Sequence, residues 1–103
     1  MAQHDRQTIV RVKIAGRVQG VGYRDWLMRE ALRHSVRGWV RNRSHGEVEA
    51  LLAGMPEAIA AICKACWQGP PAAQVSEVVE SPGDADDEAE IAQITGFRQI
   101  ATL

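Results

Sequence analysis

Aromatic side chains are scarce in this 103-residue sequence: one Phe, one Tyr and three Trp make up 5% of it. A sheet that reads single-stranded RNA stacks bases on exposed aromatics, and so few of them argue against that use. No apolar run approaches the ~20 residues of a membrane span. The opening MAQHDRQ has no apolar stretch of the signal-peptide kind. A cytoplasmic protein with no membrane partner is therefore expected. Cysteine is limited to Cys63 and Cys66. Their Cys-x-x-Cys spacing suits a redox pair or half a zinc site, but no second Cys or His pair completes one. Ile59, Ile62, Cys63 and Cys66 fall at i, i+3, i+4, i+7, so both thiols extend the apolar stripe of a helix. Core packing is the reading taken.

Charge is nearly balanced overall, at −1, but not along the chain. Residues 1–43 carry 10 basic and 3 acidic side chains; residues 44–103 carry 2 and 10. Separate halves would suggest a basic nucleic-acid arm. Halves interleaved in one sheet would let these charges face one another, and this second reading is preferred. The length suits one domain, residues 1–103, with one modest core.

Thr8 to Ile14 alternates, with Val10, Val12 and Ile14 on one face and Arg11 and Lys13 on the other, as a half-buried strand does. Tyr23 to His34 has helical spacing through Tyr23, Trp26, Leu27, Ala31 and Leu32. Strands are predicted over 36–42 and 47–52, joined by a hairpin at Arg43-Ser44-His45-Gly46 in which Gly46 takes positive φ. Pro56 and Glu57 open a second helix that Gly69-Pro70-Pro71 stops. A fourth strand over 74–80 and a short one from Phe97 to Thr102 follow. Gly83 to Glu90 is acidic and reads as a solvated loop. The order β-α-β-β-α-β plus a short strand predicts an α+β ferredoxin-like sandwich, two helices on one face of an antiparallel sheet and the other face wetter. Arg11 and Lys13 would then lie opposite Glu47 and Glu49 as exposed pairs worth roughly 0–1 kcal/mol each.

In that topology a right-handed crossover makes strands one and two parallel, with strand three between them. Their C-terminal ends share one edge of the sheet. One leads into Gly16-Arg17-Val18-Gln19-Gly20-Val21-Gly22-Tyr23-Arg24, the other ends at Arg41-Asn42. Glycines let backbone N–H groups converge on an anion, and a helix start adds partial positive charge. Arg24 in the first helical turn is unfavourable there unless a bound anion reverses the sign. The loop is neither Gly-x-x-x-x-Gly-Lys-Ser/Thr nor Gly-x-Gly-x-x-Gly. Composition alone leaves a phosphate cradle and a purely structural glycine turn both open, and Asn42 by itself is as well explained by turn chemistry.

The segments GRVQGVGYR, Gly38-Trp39-Val40-Arg41-Asn42, Gly46-Glu47-Val48-Glu49, Gly69-Pro70-Pro71 and Val75 together resemble the acylphosphatase family, in order, over roughly residues 8 to 82 with a last strand at Phe97. Tyr23 stands where Phe is common, and His45 where Asp often precedes the glycine; neither is a catalytic position. The acidic stretch Asp84 to Glu90 follows no pattern of the resemblance. What the resemblance implies is metal- and cofactor-free hydrolysis of an acyl phosphate to a carboxylate and inorganic phosphate. Arg24 would be the catalytic arginine and Asn42 the catalytic asparagine. Arg17, Val18, Gln19, Gly20, Val21, Gly22, Tyr23 and Arg24 would form the phosphate-binding segment. His4, His34 and His45 receive no role. Trp26 and Trp39 read as packing groups, and Arg29, Arg33 and Arg37 as a solvated face. A free-standing monomer is expected, with no nucleic-acid partner. A phosphate sensor, or a module of a larger carbamoyl-transfer enzyme, are the rivals on the same fold.

Overall fold

The alternation of Val10, Val12 and Ile14 does build a strand, but a longer one than predicted. In the computed structural model, which describes residues 7–103, β1 runs Thr8–Arg17. The expectations attached to His4, Asp5 and Arg6 lie outside those residues. The remaining elements are α1 (Tyr23–Arg33), β2 (Arg37–Asn42), β3 (Val48–Gly54), α2 (Pro56–Cys66), β4 (Gln74–Pro82), α3 (Ala85–Ile91) and β5 (Phe97–Gln99). The sheet order is β4-β1-β3-β2-β5. β3 is antiparallel to both β1 and β2, so those two are parallel to each other. β5 is only Phe97–Gln99, shorter than the predicted Phe97 to Thr102, and it lies parallel to β2, so the sheet is mixed and not wholly antiparallel as expected. Gly46 turns the β2–β3 hairpin with φ 111°.

The main core lies between the sheet and the two longer helices. Val12 and Ile14 of β1, Val40 of β2 and Ala50 and Leu52 of β3 meet Leu27 and Ala31 of α1 and Ile59 and Ile62 of α2. Cys63 and Cys66 continue the α2 stripe as buried free thiols. Burial in this apolar layer pushes both thiols up to about 12. Trp26 packs edge-on against Tyr23 at 5.2 Å, at the margin of the same core.

The opposite face corrects the prediction. The segment read as a solvated loop contains α3, which Asp84 opens with a reciprocal cap: its carboxylate accepts from the Asp87 N–H, and the Asp87 carboxylate accepts from the Asp84 N–H. Ile91 of α3 packs on Trp39, Leu51 and Ala53, a second small core behind the sheet. The helix was hidden because, of the five acidic side chains over 84–90, only Asp87 turns inward, and Ile91 is the one buried apolar residue of the helix. Arg37, predicted to be solvated, is half-buried and donates to the carbonyls of Ile91 and Ile94, satisfying the helix end.

The cross-strand charges are also placed differently. Lys13 stands opposite Glu49, but Arg11 stands opposite Leu51 and reaches diagonally to Glu49 at 2.6 Å. Glu49 is 3% exposed, not a surface residue, and accepts from Arg43 at 2.9 Å as well. Arg11 also donates to buried Asp87 of α3. Glu47 instead faces His45 at 3.0 Å. Trp39 lies beneath this network, with the Arg41 guanidinium 4.5 Å and that of Arg11 5.6 Å from its ring centre. The Trp39 indole N–H donates to Glu90.

Candidate active site

β1 ends with an irregularity between Ala15 and Gly16, where its register on β4 shifts. The chain then turns through residues 18–22 into α1. Gly20 has φ 74° and Gly22 φ 82°, left-handed values that an L side chain resists. A Cβ at either would meet nothing within 4 Å, so these glycines answer a dihedral need and not a lack of space. Gly22 is the N-cap of α1, with no side chain closing the helix start. Among the described residues, no N–H from Val18 to Gly22 donates to a backbone carbonyl. A row of unengaged donors therefore runs into the positive end of a helix.

These donors border a cavity of about 130 Å³ at the edge where β1 and β2 both end. Gly20, Gly22, Arg24 and Asn42 line it, together with Val18 and Tyr23. The side chains of Val18 and Tyr23 are buried in the core, and the Tyr23 hydroxyl donates to the Cys66 carbonyl at 2.6 Å. What these two residues can offer a ligand is main chain. Arg17 is exposed and lies outside the lining, as does Val21. Gln19 also stays outside. Its side-chain amide donates to the carbonyls of Arg43 at 2.7 Å and Glu47 at 2.9 Å, tying the glycine loop to the hairpin that follows Asn42.

Sequence reasoning missed two lining residues, Asp25 and Gln99. Gln99 comes from β5, and its amide N–H donates to the Asp25 carboxylate in the first turn of α1. No local pattern marks either one; they meet only because β5 lies beside β2. Arg24 is half-buried and, among the described residues, forms no ion pair. His34 lies near Glu30 and His45 on Glu47, both away from the cavity. No cluster of three or more His, Cys, Asp or Glu side chains suited to a metal occurs among the described residues.

A family model described as Acylphosphatase matches residues 10–100. The chain belongs to the acylphosphatase family. An acylphosphatase of Nitrobacter hamburgensis is 48% identical over 98 residues, covering 95% of each chain. One of Nitrobacter winogradskyi is 45% identical over 97 residues, covering 94% of this chain and 98% of that one. The solved structure of an acylphosphatase from Coxiella burnetii superposes with a TM-score of 0.85 at 32% identity, covering 97% of this chain and all of the other. The activity is accordingly that of a hydrolase acting on an acid anhydride: an acylphosphatase converts an acyl phosphate to a carboxylate and phosphate.

Proposed function

We propose that hydrolysis takes place in the 130 Å³ cavity, with Arg24 and the glycine-loop N–H groups holding the phosphoryl group and Asn42 aiming the attacking water. The observation that carries this reading is the half-buried guanidinium of Arg24, without an ion pair among the described residues, beside a helix start whose N–H groups find no partner among them. Positive charge there is unfavourable until an anion arrives. A phosphoryl dianion satisfies the planar fork and the amides together.

The substrate is already activated, since a carboxylate leaves readily. The site has to hold the phosphoryl group, stabilise its equatorial oxygens and set one water in line. The water oxygen bonds to phosphorus as the bond from phosphorus to the acyl oxygen breaks. The carboxylate departs with that electron pair, and the water proton passes to a phosphate oxygen. Asn42 orients the water through its side-chain amide. No general base, metal or cofactor enters this scheme. Gly20 and Gly22 shape the cradle; Val18 and Tyr23 contribute main chain; Gln19 braces the loop, with Arg17 and Val21 at its margins.

We also read residues 1–103 as one domain acting as a cytoplasmic monomer without nucleic-acid or membrane partners. No helix among the described residues is long and apolar enough to cross a membrane. The sheet face behind the site carries an ion-pair network, and its one aromatic, Trp39, is covered. The deciding experiment is hydrolysis of benzoyl phosphate, with and without a chelator, against added inorganic phosphate. Turnover that the chelator leaves alone and phosphate inhibits competitively is expected. Absence of turnover, or its loss on chelation, sinks the scheme.

A further inference from the structure

The cavity lining holds two unlike sets of groups. One set donates: the loop N–H groups and the Arg24 guanidinium. The other is Asp25 and Gln99, which the phosphoryl scheme leaves unused. One Gln99 amide N–H donates to the Asp25 carboxylate, and the same nitrogen turns its second N–H toward the Met28 Sδ at 4.0 Å. The carboxylate contact also fixes which end of the amide faces where, since a carboxylate accepts and cannot donate. What remains of Gln99 for a ligand is its carbonyl oxygen, and what remains of Asp25 is a second carboxylate oxygen. This pair is therefore acceptor-rich and carries negative charge. The phosphoryl end of an acyl phosphate consists of acceptors and belongs with the donors. The acyl end is left facing acceptors.

We infer that Asp25 and Gln99 form the acyl side of the site and favour acyl phosphates whose acyl group presents an N–H donor, an inference that rests on the phosphoryl site proposed above. An acyl group with a carboxylate or a second phosphate is disfavoured by like charge. One with a methyl group gains no hydrogen bond and strips water from two acceptors. The contact between Gln99 and Asp25 joins the first turn of α1 to β5, so the two acceptors come from different elements.

Carbamoyl phosphate and acetyl phosphate test this directly, because NH₂ and CH₃ are nearly the same size. The readout is the ratio of kcat/KM for the two substrates in wild type and in Asp25→Ala; comparing ratios cancels their different intrinsic reactivities. The carbamoyl-to-acetyl ratio is expected to fall about tenfold in Asp25→Ala, as for loss of a hydrogen bond to a charged group. Gln99→Leu should lower it in the same direction. Asp25 is on the exposed first turn of α1, so its variant tests the idea even if Gln99→Leu folds poorly. Competitive inhibition by inorganic phosphate checks that the phosphoryl cradle persists. A ratio unchanged in Asp25→Ala, including equal loss on both substrates, overturns the acyl-side assignment while leaving the hydrolase intact. If the wild type turns over neither substrate, the phosphoryl site itself is wrong.

Discussion

Arg17, Arg24, Arg29, Arg37 and Arg98 make no ion pair among the described residues; of these Arg24 and Arg37 are partly buried, and Arg37 is engaged by the carbonyls of Ile91 and Ile94. Water screens the three exposed guanidinium groups, whereas Arg24 has cavity on one side and a helix start on the other. Its planar fork matters as well as its charge. Arg24→Lys should lower kcat by at least about 100-fold, because a lysine cannot present two parallel donors to a phosphoryl group. The same variant should lose the rise in Tm that inorganic phosphate gives the wild type through mass action. Near wild-type turnover in Arg24→Lys would refute the clamp. Asn42 has a narrower task. Asn42→Ala should reduce kcat on the order of 10²–10³-fold while phosphate inhibition stays nearly constant, as for loss of one donor used in the transition state. A change confined to KM contradicts the water-aiming role.

Elements bring these residues into register. β1 and β2 are parallel across β3, so the glycine loop and the hairpin leave the sheet side by side. Gln19 then bolts one to the other through the carbonyls of Arg43 and Glu47. Both carbonyls also accept hairpin N–H groups, so Gln19→Leu orphans neither. The variant should therefore fold, at a cost of about 1–2 kcal/mol for two hydrogen bonds. Its kcat should drop roughly 10- to 100-fold, since small misplacements of reacting groups are costly. Unfolding by urea and initial rates on one preparation separate the two effects; full activity in a destabilised protein shows that the loop holds its place unaided. Sequence patterning revealed the two long helices and the central strands because their periodicity is local: Val12 and Ile14 alternate, and Ile59, Ile62, Cys63 and Cys66 recur on one helical stripe. It missed α3 because that helix's inward face consists of one apolar residue and one acid whose partner, Arg11, is 76 positions away.

Across the whole molecule, the charge imbalance between the two halves becomes a folded-state asset with a pH signature. Burial pushes the Glu49 carboxyl up, but hydrogen bonds from Arg11 and Arg43 outweigh it and hold the group below its ordinary 4.5. At Asp87, burial is likewise outweighed by Arg11 and by the Asp84 N–H, and the group lies below its ordinary 3.8. Both groups bind protons more weakly folded than unfolded. Their stabilisation is complete above the unfolded values and disappears as pH falls through the lower folded ones. Tm should be level from pH 7 to about 5 and then decline steadily with acid. Glu49→Gln should flatten that decline in differential scanning calorimetry. A slope equal to wild type assigns the acid sensitivity to other carboxylates. Local order along the chain was enough to specify the four longer strands, the longer helices, the glycine loop and the edge to which Arg24 and Asn42 belong, because backbone dihedrals and side-chain periodicity are properties of neighbouring residues. The role of the acidic segment, the burial of Glu49 and the meeting of Asp25 with Gln99 required folding in three dimensions. Each depends on a surface that exists only once β1, β2 and β5 lie in one sheet, and no short stretch of residues encodes what will cover it.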